Sequence, residues 1–177
     1  MAKSSKKQID QDEKKVIEQL QRNSNESIDK IAKQCGFSRQ KVWRIIKRLE
    51  SNKTIWGYTA VPDKEKQGVR HYILLIKRSN EPIDKAVDEL ISSFKKGAAK
   101  TLGIYVRTAC VLHGEYDGII FFTAKDISVA KKFIEFINKR YTSTVRETVL
   151  LEDIFSIKIC GMLNPKLDEL KDFYAAV

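Results

Sequence analysis

From Ser38 to Glu50 the chain reads SRQKVWRIIKRLE. Arg39, Gln40, Lys41, Arg44, Lys47 and Arg48 supply long hydrogen-bond donors there. Trp43 adds an aromatic face, and no acid occurs before Glu50. At about 100° per residue, Val42, Ile45, Ile46 and Leu49 fall in one helical stripe that must meet a core. Gln40, Arg44 and Lys47 lie opposite, flanked by Trp43, Lys41 and Arg48. A helix face that is only solvated normally mixes in acids at i,i+4 spacing. A guanidinium takes guanine bidentately, a Gln amide takes adenine, and a helix in the major groove leads with its N-terminal residues. The pattern points to double-stranded DNA. Ser38, Arg39, Gln40, Trp43 and Arg44 are candidates for base edges, and Lys41, Lys47 and Arg48 for phosphates. Two blander readings stand beside it: a basic solubilising face, and a Trp43 packed against the first helix.

Such a helix needs a rigid mount, and the preceding residues supply one. Asp10 and Glu13 read as a capping box that opens a first helix over 11–22. Ser27 caps a second helix with Ile28, Ile31, Ala32 and Cys35 on one face. Gly36 ends that helix, and Ser38 caps the third at once. Two short helices joined by a tight glycine turn are the helix-turn-helix pattern. Lys3, Lys6 and Lys7 read as a disordered basic tail, either touching phosphates or without a role. The charge follows the same division. The formal net charge is +10, and residues 1–68 hold 16 Lys and Arg against 9 Asp and Glu, whereas residues 69–177 hold 17 against 14. A local basic excess is the footprint of a polyanionic partner.

Other function classes find little support. Cys35, Cys110 and Cys160 are far apart and odd in number, which argues against a disulfide framework or a zinc site and suits a reducing cytosol. Each is expected to be a small buried residue. No Ser/His/Asp set, glycine-rich phosphate loop or metal-spaced cluster occurs, so neither an enzyme nor a cofactor is expected. The longest apolar runs, such as 72–76, fall far short of the ~20 residues of a membrane span. A soluble, cytoplasmic protein with no membrane partner is the expectation.

The remainder reads as strand, helix, strand, strand, helix, strand. Residues 55–61 are β-rich and end at Pro62. Strands are predicted at 71–78, 104–112, 118–123 and 145–159, the last with an irregularity near Glu152 and Asp153. Helices are predicted at 84–95, with Val87, Leu90, Ile91 and Phe94 inward and Gly97 as the stop, and at 127–141, with Ala130, Phe133, Ile134 and Ile137 inward. The fold class is therefore α+β: an N-terminal three-helix helix-turn-helix domain, then a ferredoxin-like β-α-β-β-α-β domain. The continuous run Ile73-Leu74-Leu75-Ile76 predicts a strand buried on both faces, hence a homodimer through the sheet. The expected domains are 1–54 for DNA binding, 55–69 as linking strand and linker, 70–161 for dimerisation and effector binding, and 162–177 as a helical extension. Leu167, Leu170, Phe173 and Tyr174 form the apolar stripe of that extension.

Several of these stretches together resemble the leucine-responsive/asparagine-regulator (Lrp/AsnC) family of prokaryotic transcription regulators. They are Asp10-x-x-Glu13 with Val16-Ile17-x-x-Leu20, and Ile31-Ala32-x-x-Cys35-Gly36-Phe37-Ser38. Next come Val42-x-x-Ile45-x-x-Arg48-Leu49-Glu50 and Ile55-Trp56-Gly57-Tyr58-Thr59-Ala60. His113-Gly114-Glu115-Tyr116-Asp117 is similar to the family's Gly-x-x-Asp turn, with His113 where Thr is usual. A glycine normally follows the third helix, where this chain has Asn52-Lys53. The resemblance implies a sequence-specific regulator whose dimers assemble into tetramers or octamers. It also implies an amino-acid effector held where dimers meet, at His113, Gly114, Glu115, Tyr116 and Asp117. There the turn's backbone N–H groups can take a carboxylate and Asp117 an ammonium, unless Asp117 only bonds its own backbone in a plain hairpin turn. Two other functions remain. One is a DNA-organising, chromatin-like protein of little specificity. The other is an enzyme similar to tetrapyrrole (sirohaem) decarboxylase subunits, resting on His71 and His113 and opposed by the intact basic helix.

Overall fold

Local capping sets the second and third helices. In this computed structural model, which describes residues 6–175 apart from the Phe173 side chain, α1 spans Lys6–Arg22, α2 Ile28–Cys35 and α3 Arg39–Ser51. The Ser27 side chain accepts from the Lys30 N–H and that of Ser38 from the Lys41 N–H. Gly36 sits at φ 69°, a left-handed conformation that glycine adopts without a Cβ penalty. Val16, Ile31, Ala32, Val42, Ile45 and Leu49 are buried together, with Leu20, Phe37 and Ile55 packed around them.

Three expectations for this region need correction, and the turn after α3 adds a fourth point. Helix α1 includes Lys6 and Lys7, so these are helical rather than part of a loose tail, and Asp10 lies inside the helix instead of capping it. Lys3 lies outside the described residues. The left-handed residue after α3 is Lys53, at φ 63°, while Asn52 stays at φ −87°. Residues 55–61 are in no strand, because an extended segment needs a partner backbone and none of the described residues supplies one.

The chain divides into two units. One comprises the chain up to Val61 and from Ile157 onward, and the other is Pro62–Ser156. In the second, a short helix α4 (Lys64–Gln67) precedes β1 (Arg70–Arg78), α5 (Asp84–Lys96), β2 (Tyr105–Val111), β3 (Gly118–Ala124), α6 (Ile127–Arg140) and β4 (Val145–Asp153). The strands form one antiparallel sheet in the order β2-β3-β1-β4, as expected for a ferredoxin-like unit. Alternation along the strands places Tyr72, Leu74, Ile120 and Phe122 on one face, packed with Ala130, Phe133 and Ile137 of α6. The rings of Tyr72 and Phe122 stack at 5.5 Å, and Phe133 meets Phe122 edge-on at 5.0 Å. The opposite face carries Ile73, Leu75, Phe121 and Leu151 by register, and Phe121 and Leu151 remain 38% and 46% exposed.

The final strand is shorter than expected. β4 ends at Asp153, and a separate two-residue hairpin follows, β5 (Lys158–Ile159) with β6 (Met162–Leu163). Asp153 explains the stop. Its carboxylate accepts from the Ser156 hydroxyl and lies 3.7 Å from His71 Nδ1, while Lys64 Nζ donates to the Asp153 and Ile154 carbonyls at 2.9 and 2.8 Å. A last helix, α7 (Leu170–Ala175), follows a 3-10 turn at Leu167–Glu169. Cys110 and Cys160 are exposed rather than buried, the first on the edge strand β2 and the second in the β5–β6 turn.

Candidate nucleic-acid interface

Helix α3 is held by its apolar stripe: Val42, Ile45 and Leu49 are at most 5% exposed. That anchor turns Ser38, Arg39, Gln40, Lys41, Trp43, Arg44, Lys47 and Arg48 to the exterior, and all eight are exposed. Trp43 is 51% exposed, so it is not the packing residue of the α1 contact.

These eight residues are not equivalent. The Ser38 hydroxyl caps its own helix. Lys41 Nζ lies 2.7 Å from Asp12 and 3.9 Å above the Phe37 ring. Asp12 is buried, also accepts from Gln8 at 3.0 Å, and its carboxyl is held below the ordinary range mainly by the Lys41 hydrogen bond. Arg48 Nε donates to Glu13 at 2.6 Å. Lys41 and Arg48 thus tie α3 to α1. Arg39 pairs with Asp29 at 3.2 Å and Lys47 with Glu50 at 2.9 Å, both at exposed positions where ion pairs are weak and exchangeable. Glu50 also accepts from the Tyr58 hydroxyl at 3.2 Å, and these two donors lower its carboxyl below the ordinary range. The side chains of Gln40, Trp43 and Arg44 have no hydrogen bond or ion pair among the described residues. They sit at i, i+3 and i+4 and form one patch, which Lys47 at i+7 extends along the same stripe.

Apart from Glu50, the acids that partner the basic residues were not legible from α3 alone, because Asp12, Glu13 and Asp29 come from α1 and α2. The segment after α3 contributes a second exposed ring, Trp56, at 96%.

The second candidate site is the connection between β2 and β3. The Leu112 N–H donates to the Asp117 carbonyl and the Asp117 N–H to the Ile76 carbonyl. The Asp117 carboxylate accepts from the Arg78 N–H at 2.8 Å, so it bonds a neighbouring strand and not its own backbone. His113 and Gly114 are exposed. Glu115 lies 3.4 Å from Lys77, whose ammonium is 5.4 Å from the centre of the Tyr116 ring.

His113 and His71 are not brought together. The turn abuts Ile76 and Arg78 at one end of β1, and His71 pairs with Thr123 at the other. His71 is buried with Arg107 Nη1 at 3.3 Å from its Nδ1. Burial, then the Arg107 charge, press its pKa below the ordinary imidazole range. Among the described residues there is no His/Cys/Asp/Glu group able to hold a metal, and no helix is long and apolar enough to cross a membrane.

Residues 10–55 match the winged helix-turn-helix DNA-binding family. That match covers α2, α3 and most of α1, and so the whole mount of the Gln40, Trp43 and Arg44 patch. The longer likeness is structural. The chain resembles the crystal structure of PH0061 at 24% identity and a TM-score of 0.68, over 90% of this chain and 98% of that one. An AsnC family transcriptional regulator from Agrobacterium tumefaciens matches at 20% identity and 0.62, over 88% and 96%. The transcriptional regulator NMB0573 of Neisseria meningitidis, solved as its L-Met complex, matches at 17% and 0.63, over 95% and 99%. The chain has the AsnC-regulator fold. No curated protein sequence matches it. Within that fold the winged helix-turn-helix domain carries the basic patch and the ferredoxin-like domain carries the turn at 113–117.

Proposed function

We propose that the protein is a sequence-specific DNA-binding transcriptional regulator rather than an enzyme. The observation that carries this reading is the unpaired, exposed patch of Gln40, Trp43 and Arg44 on α3, inside a matched winged helix-turn-helix domain. Gln40 and Arg44 take base edges, and Trp43 packs against a thymine methyl or the sugar-phosphate wall. Arg39 and Lys47 exchange their exposed carboxylate partners for phosphates. Lys41 and Arg48 hold α3 in place and add to the positive field.

In this reading residues 1–54 bind DNA, 55–69 link, 70–161 dimerise and hold an effector, and 162–177 form an extension. Two copies join through the open sheet face, where Phe121 and Leu151 stay exposed, and the dimers assemble further. An amino acid acts as effector at His113, Gly114, Glu115, Tyr116 and Asp117. Support comes from the L-Met complex of the Neisseria meningitidis regulator and from the exposure of His113, Gly114 and Glu115 in the turn.

The test is selection of genomic DNA fragments followed by binding assays on the cognate site. Arg44→Ala is expected to cost roughly 1–3 kcal/mol there and to relax specificity. Lys47→Ala is expected to weaken all sequences about equally. Wild-type affinity and specificity in Arg44→Ala would remove α3 from the interface.

A further inference from the structure

The chain that leaves α3 is fixed to it at three points. The Lys53 N–H donates to the Glu50 carbonyl and the Ile55 N–H to the Leu49 carbonyl, at 3.2 and 3.0 Å. The Ile55 side chain packs on the buried cluster of the helical unit, and the Tyr58 hydroxyl donates to the Glu50 carboxylate at 3.2 Å. That carboxylate also accepts from Lys47 at 2.9 Å. Glu50 stands seven residues after Trp43, so the two share one stripe of α3. Tyr58 therefore continues the outward face that begins with Trp43. Between the anchors at Ile55 and Tyr58 lies Trp56, 96% exposed against 51% for Trp43 and for Tyr58. Its side chain makes no hydrogen bond or ring contact among the described residues. The fold gains nothing from an indole held in water on a fixed segment, so its use lies outside the chain.

The surroundings of Trp56 select its partner. Apart from Ile55, every residue from 51 to 60 is exposed, and Ser51, Asn52, Lys53, Thr54, Tyr58 and Thr59 carry polar side chains. The core of a protein–protein contact is apolar and poor in charge. One ring among hydroxyls, an amide and an ammonium does not make such a core. The indole N–H is a donor only, and so is the Lys53 ammonium. Phosphate oxygens are acceptors only, and a sugar edge gives the ring a surface to cover. The segment continues the face that carries Trp43 and Lys47, and it belongs to the third of the chain with the basic excess. It lies past the residues matched to the winged helix-turn-helix family, which end at 55, and residues 55–61 form no strand.

We infer that Trp56 and Lys53 make a second DNA contact, on the sugar-phosphate backbone beside the bases read by α3. The ring covers a deoxyribose, the indole N–H and the Lys53 ammonium donate to phosphates, and the Glu50–Tyr58 bond holds the segment in place. Such a contact positions the duplex and carries no sequence information. The inference rests on the reading of α3 as the DNA-binding helix and extends the interface beyond it.

The experiment uses the full-length protein and two duplexes of equal length, one carrying a site selected from genomic DNA and one of random sequence. Affinity is measured over a salt series, and hydroxyl-radical labelling read by mass spectrometry follows Trp43 and Trp56 separately. Trp56→Ala should weaken binding to both duplexes about tenfold, the order expected for losing the cover of one large aromatic side chain. Its salt slope and thermal midpoint should not change. Lys53→Asn, which keeps the left-handed turn, should lower the salt slope by about one. Trp56 should label rapidly in the free protein and be protected by either duplex. Protection of Trp43 without protection of Trp56 overturns the inference and leaves the reading of α3 standing. Wild-type affinity in Trp56→Ala also overturns it. So does a Trp56 already protected in the free protein, which would mean that a second copy covers it. Protection of neither tryptophan removes α3 from the interface together with this contact.

Discussion

Helices α3 and α5 are each 13 residues long, and each carries one apolar stripe. They end differently. Helix α3 buries Val42, Ile45 and Leu49 against α1 and α2, whereas α5 buries none of its residues. An amphipathic pattern dictates that a helix forms and which face seeks cover. It does not dictate that the cover is complete. In the helical unit the stripe meets a matching set of side chains, and the exposed face is left to work on a partner. In the sheet unit the stripe meets a gap, and its own side chains stay partly open.

The sharpest way to break this comparison is a matched pair of truncations. Leu49→Ala removes a side chain that is 1% exposed and is expected to cost about 2–5 kcal/mol. Leu90→Ala removes one that is 37% exposed and is expected to cost under about 1.5 kcal/mol, because it adds to space already present. Urea unfolding measures both, and equal costs would mean that α5 is as well packed as α3.

Next comes the tie between α3 and α1. Asp12→Asn leaves Lys41 without its counter-charge while keeping the size of the side chain. It is expected to cost about 1–3 kcal/mol, less than a fully buried pair because Lys41 is half-exposed. Thermal unfolding checks this, and an unchanged midpoint would show the pair to be incidental. The lowered Asp12 pKa gives the pair a pH signature. Its contribution is full above the ordinary carboxylate value of 3.8 and is lost as pH falls through the depressed native value.

These two contrasts also mark what was legible in the sequence. The α2–turn–α3 unit was readable because Ser27, Gly36 and Ser38 act on backbone groups two to four residues away. The outward face of α3 was readable as a pattern of types. Its division into tied and free residues was not, since Asp12 and Glu13 are 29 and 35 positions from Lys41 and Arg48. The strands were placed within a residue or two by alternation and turn residues. The long last strand failed because the Asp153 cluster with Lys64, Ser156 and His71 depends on contacts from distant segments. Nothing in the periodicity of residues 84–96 could reveal that their stripe faces a cavity.

A smaller effect separates the units by pH. His71 of the sheet unit is kept neutral by burial and by the Arg107 and Lys64 charges, with Asp153 opposing them. Its native pKa is depressed, so its contribution is full above the ordinary value of 6.5 and declines as pH falls below it. Stability measured at pH 7.5 and 5.5 should drop more in the wild type than in His71→Asn. An equal drop would assign the pH dependence to other groups. The smallest effect is expected at Lys53, whose φ of 63° costs a residue with a Cβ. Lys53→Gly should stabilise the helical unit by up to about 1 kcal/mol, and a destabilised variant would mean that the Lys53 side chain does more than tolerate its turn.

Both tryptophans of the chain, Trp43 and Trp56, belong to the helical unit, and both are open to solvent. The sheet unit has tyrosines but no indole. Light absorbed near the red edge of the protein spectrum is therefore emitted from one half of the molecule alone. Docking of α3 against a duplex should quench or shift that emission directly. A change in emission on adding an amino acid, whose proposed turn lies in the dark half, would be an optical record of one unit influencing the other, read without attaching any label.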